Sequence, residues 1–70
     1  MAEALHKRLR RNLQALANRK GLYLTQVPDR AGVSHTQFFK VLKGTSSPSL
    51  DYLARLADAL GEDVSALLKP

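Results

Sequence analysis

Residues 25–44, TQVPDRAGVSHTQFFKVLKG, hold two short helical patterns on either side of Gly32, and no other stretch restricts the fold so closely. Thr25 is the expected N-cap of the first pattern. Pro28 falls in its first turn, where a missing N–H costs little. Val27 and Ala31 face inward, Gly32 turns the chain, and Val33 plugs the core beneath the turn. Ser34 is the expected N-cap of the second pattern, residues 35–43, and Gly44 ends it.

The flanking segments supply the rest of a core. Residues 3–20 place Leu5, Leu9, Leu13, Leu16 and Ala17 on one helical stripe. His6, Lys7, Arg8, Arg10, Arg11 and Gln14 fall on the opposite face, and Gly21 ends the helix. Leu22, Tyr23 and Leu24 make an apolar connection. After a polar loop, Thr45 to Pro48, Ser49 is placed to cap a fourth helix over residues 50–60. Its inward positions are Leu50, Leu53, Ala54, Leu56, Ala57 and Leu60, and Gly61 stops it. Asp63 is placed to cap a short fifth helix whose Val64, Leu67 and Leu68 complete the core. The pattern predicts an all-α chain, a compact five-helix bundle, with residues 1–70 forming one domain. At 70 residues every helix must contribute to a shared core.

Composition removes several function classes. The chain has no cysteine, so it has no disulfide and no thiolate metal site. Its two histidines, His6 and His35, are far apart, and neither a metal nor a cofactor is expected. No apolar run approaches the ~20 residues of a membrane span, and no apolar signal segment is present. A soluble, cytoplasmic protein is expected. The acidic residues Asp51, Asp58, Glu62 and Asp63 read as caps and surface charges. With no nucleophile–base pairing and no phosphate-cradling glycine loop, an enzyme is not expected.

The net charge of +5 is unevenly placed. Six Lys/Arg in residues 1–20 oppose only Glu3, whereas residues 51–70 carry four acidic groups against Arg55 and Lys69. A basic front and an acidic back are consistent with one surface facing a polyanion, and equally with a merely basic soluble protein.

The helix over residues 35–43 sharpens this. At ~100° per residue, Phe38, Val41 and Leu42 lie on the inner side. His35, Thr36, Phe39, Lys40 and Lys43 lie on the outer side, with Gln37 on the flank. Such a helix fits the major groove of B-DNA, with its N-terminal side chains reaching base edges. His35 and Thr36 sit at that end. Lys40 is placed for guanine or phosphate, and Phe39 for a thymine methyl or a protein partner. The amides capped by Ser34 suit a phosphate. Lys43, Thr45 and Ser46 suit the DNA backbone. Taken singly, each of these is an ordinary surface residue. Their co-location beside a tight turn is what points to nucleic acid.

These residues carry a resemblance. Leu9-Arg10, Gly21-Leu22, Arg30-Ala31-Gly32-Val33-Ser34, Gly44, Pro48-Ser49-Leu50, Leu53, Leu56-Ala57, Ala59-Leu60-Gly61 and Leu67-Leu68 fall at characteristic spacings without a gap. The chain resembles the lambda-repressor-like helix-turn-helix family of Xre/Cro-type regulators over nearly its whole length. The resemblance implies a five-helix bundle with the helix-turn-helix in helices two and three. It also implies a homodimer on palindromic double-stranded DNA, within bacteria or phages and associated with the nucleoid. Position by position, Ser34, His35, Thr36 and Lys40 match the family's base- and phosphate-contacting sites. Phe39 matches a secondary groove position, and Lys43, Thr45 and Ser46 match the backbone-contacting loop. The family's frequent Gln at the start of helix two is Leu24 here, so that contact is lost or passes to Thr25 or Gln26. Pro28 stands where a small residue is usual. A common Arg–Glu pair is replaced by Ala17 and Leu42, apolar at both ends, an exchange that is often neutral or stabilising.

The expected function is a sequence-specific DNA-binding regulator, most simply a repressor. The alternative is a protein-interaction module on the same fold, such as an antitoxin, with Phe39, Tyr23 and Tyr52 as docking candidates.

Overall fold

The computed structural model describes residues 4–70, and all of their regular structure is helical. The expected first helix begins at residue 3, so Glu3 and that start lie outside the described residues. Within them, α1 spans Leu5–Arg19, and a 3-10 turn, Leu24–Gln26, leads into α2, Val27–Ala31. Then follow α3, His35–Lys43, α4, Leu50–Ala59, and α5, Val64–Leu67. The five-helix bundle read from the sequence is present. None of its helices is long and apolar enough to cross a membrane among the described residues.

The ends of the helices follow from local chemistry. Ser34 Oγ accepts from Gln37 N at 3.2 Å, and Ser49 Oγ accepts from Tyr52 N at 3.0 Å, so both serines cap as expected. Asp63 occupies the N-cap of α5, but its side chain accepts no capping bond, contrary to the expectation. Thr25 is not a cap either. The 3-10 turn is held by Tyr23, whose N–H donates to Gln26 Oε1 at 2.8 Å while Gln26 N donates to Tyr23 O at 2.9 Å. Pro28 sits in the first turn of α2 and is buried, where its ring packs and its missing donor is not needed.

Gly32 ends α2 in the left-handed conformation, φ 69°. The following Val33 N–H reaches back to Pro28 O at 3.0 Å, closing the turn between α2 and α3. Any side chain there would be strained, although the space beside it is open.

The core joins all five helices. Leu9, Leu13, Phe38, Leu56 and Leu67 are fully buried, with Val27, Val41 and Ala57 between them. Burial of each large side chain contributes roughly 1.5–3 kcal/mol. Ala17 and Leu42 both lie in this core, as their shared apolar character implies. Helix α1 packs on α3 and α5, and α4 packs on α2 and α5. Two residues of the expected apolar stripes stay outside: Leu5 is 51% exposed and Leu50 is 70% exposed. Each is the first residue of its helix. Helical side chains lean toward the N-terminus, so a first residue leans past the rim of the core instead of onto it.

The last residues are lashed to the first helix. Asn12 Nδ2 donates to Leu67 O at 2.8 Å and to Lys69 O at 2.9 Å. Arg11 donates to Lys69 O at 2.9 Å, and Arg8 to Leu68 O at 3.5 Å. Part of the basic face of α1 is therefore structural.

Candidate nucleic-acid interface

Helix α3 is anchored by its inner side. Phe38, Val41 and Leu42 are buried, as its periodicity predicts. The outer side exposes His35, Thr36, Gln37, Lys40 and Lys43. Phe39 departs from the expectation. It is half-buried against the core, edge-on to Phe38 with ring centroids 5.1 Å apart and planes at 82°. That arrangement is the favoured aromatic geometry, and it leaves only part of Phe39 for an external contact.

The polar groups around α3 form an ordered rim. Gln37 Nε2 donates to Ser46 Oγ at 2.8 Å, joining the helix to the loop that follows it. Thr45 Oγ1 donates to Lys40 O at 3.1 Å, closing the C-terminal turn. Ser34 is engaged as the cap. At the other end, His35 Nε2 and Asp29 Oδ1 lie 2.6 Å apart, bridging α2 and α3 across the Gly32 turn. Among the described residues, the ammonium groups of Lys40 and Lys43 make no ion pair or hydrogen bond, and the hydroxyl of Thr36 makes none either. Thr25 and Gln26 are exposed beside α2, although the amide oxygen of Gln26 is taken by Tyr23 N–H.

The structure thus brings Ser34, His35, Thr36, Gln37, Lys40, Lys43, Thr45 and Ser46 onto one edge of the molecule. Periodicity did not single out Asp29. It precedes the turn in sequence, and only the turn's geometry carries its carboxylate to His35. No group of three or more His, Asp or Glu that would hold a metal ion occurs among the described residues.

On α4, the buried hydroxyl of Tyr52 finds no hydrogen-bond partner among the described residues. Burial raises its pKa above the ordinary value of 10.0.

A family model for a helix-turn-helix domain matches residues 8–68. No curated protein matches the chain. The crystal structure of a hypothetical transcription factor, NHTF from Neisseria, superposes with a TM-score of 0.83 at 24% identity, covering 100% of this chain and 86% of that one. At that identity the likeness shows the fold. The family match extends from the first turns of α1 to the end of α5, with the Gly32 turn and α3 at its centre, and the chain belongs to the helix-turn-helix domain family.

Proposed function

We propose that this chain is a sequence-specific, Xre/Cro-type transcriptional regulator that reads the major groove of double-stranded DNA with α3. It acts in the cytoplasm as a homodimer on a palindromic operator, most simply as a repressor. The observation that carries this reading is the outer face of α3. Thr36, Lys40 and Lys43 stand exposed and without side-chain partners among the described residues, on a helix whose other side is fixed in the core. Thr36 sits where a base edge is reached, and Lys40 suits guanine or phosphate. Lys43, with the loop of Thr45 and Ser46, suits the DNA backbone. Thr25 beside α2 and the amides capped by Ser34 at the start of α3 add backbone contacts. The Neisseria protein that shares the fold is described as a hypothetical transcription factor, which is consistent with this reading.

The test is selection of purified protein on a random duplex library, followed by titration of the selected duplex at several salt concentrations. A palindromic motif with half-sites about 34 Å apart is expected, with a steep salt slope. Equal, weak binding to every duplex would sink the proposal. Tyr23, 79% exposed, favours protein docking as the second reading, and a captured partner released by Tyr23→Ala would support it.

A further inference from the structure

The pair formed by Asp29 and His35 has no evident role in folding. Both side chains are largely open to solvent, at 70% and 50% exposure, and exposed ion pairs contribute little to stability. The carboxylate stands beside the reading end of a helix that is otherwise neutral or basic. Against a polyanion it opposes every non-specific approach. A charge that adds little to the fold and weakens general DNA attraction calls for a role in discrimination.

The geometry supplies one. Gly32 folds α3 back on α2 and brings Asp29 Oδ1 to 2.6 Å from His35 Nε2. A carboxylate only accepts, so the ring nitrogen carries the proton and donates. This has two consequences. His35 is held as a strut, and its Nε2 edge is not available to donate to a base. The Asp29 carboxylate is in turn held at the N-terminal end of α3, and its second oxygen has no partner among the described residues. In the major groove a carboxylate matches the amino group of cytosine N4 or adenine N6, whereas guanine O6 and N7 and thymine O4 present acceptors that repel it.

We propose that Asp29 is a specificity-determining residue that selects an amino-bearing base, cytosine or adenine, on the contacted strand at one position of each half-site. His35 is the positioning residue that holds it. The inference rests on the operator-reading role proposed above and adds a residue that the helix pattern alone does not include.

The experiment is selection on random duplexes with the wild-type chain, Asp29→Ala and His35→Ala, then titration of the winning duplex against one with the relevant base pair reversed. A melting curve for each variant serves as a control for folding. The wild type is expected to bind the reversed duplex about tenfold more weakly, within the range of a good base contact. Asp29→Ala, which removes both acceptor oxygens, is expected to lose that preference at the one position, keep the rest of the motif, and bind the reversed duplex more tightly. His35→Ala is expected to lose the same preference with an unchanged melting temperature, an effect that a purely structural residue would not produce. A wild-type motif retained at every position in both variants would overturn the role of Asp29 and leave operator reading standing. A wild type that selects no motif would overturn both, and is recognised before any variant is made.

Discussion

Helices α1 and α3 both carry basic outer faces, and the two faces do different work. On α1, Arg8, Arg11 and Asn12 are committed to the carbonyls of Leu67, Leu68 and Lys69. On α3, Lys40 and Lys43 are exposed and carry no partner among the described residues. A charge count treats both faces alike, and it even favours α1, where the cations are denser. What separates Arg8 and Arg11 from Lys40 and Lys43 is a carbonyl within reach, whereas Lys7 and Arg10, exposed on α1, make no such bond among the described residues. A bond to a neutral carbonyl leaves the arginine charged, so α1 adds general attraction to a polyanion, while the directed contacts are expected from α3.

The comparison is tested most severely from the inner side of α3. Phe38 is fully buried, and Phe38→Ala is expected to remove about 3–5 kcal/mol, enough to abolish a cooperative melt in a domain this small. Circular dichroism on heating checks it. A retained sharp transition would mean that the outer face of α3 is not held by its packing.

Asn12→Ala and Lys40→Ala form the central contrast. Losing two bonds to buried-edge carbonyls, Asn12→Ala is expected to lower stability by about 1–2 kcal/mol and leave DNA affinity unchanged at temperatures where it is folded. Lys40→Ala is expected to do the opposite, weakening the selected duplex about tenfold with stability inside ~0.5 kcal/mol of the wild type. Urea titration and duplex titration on the same samples decide the matter, and exchanged effects would break the comparison.

Smaller effects refine it. Lys43→Ala is expected to weaken all duplexes alike and reduce the salt slope by about one, the mark of a phosphate contact. Tyr52 lies on α4, packed against the core. Removing a buried, unpartnered hydroxyl is expected to stabilise by about 1 kcal/mol near neutrality. Because burial raises the phenol pKa, the stability tied to its neutral form is complete below pH 10.0 and is lost as pH rises through the folded value. Tyr52→Phe is expected to flatten that alkaline loss in a pH series of melts.

The helices and the turn were legible because their causes are local. Ser34 and Ser49 as caps, Gly32 as the turn, and Phe38, Val41 and Leu42 as the inner seam follow from spacing alone. The sequence reading erred where the environment beyond one helix decides. Leu5 and Leu50 obey the apolar period yet lean off the rim of the core, and Phe39 is drawn onto Phe38 despite its outward position. The candidate site was legible as a face and not as a network. Bonds such as Gln37 to Ser46 and Asp29 to His35 join residues on different elements, and no periodicity encodes them.

The lashing of residues 67–69 onto α1 also bears on the order of events in folding. Asn12 and its acceptors are separated by 55 and 57 positions, so these bonds close a loop nearly as long as the described chain. Contacts of such reach form only after the intervening helices have condensed. Their loss is then expected to appear in the unfolding limb of a chevron, with Asn12→Ala opening faster while folding as quickly as before. The clasp governs how long the bundle stays shut once formed, not how fast it forms.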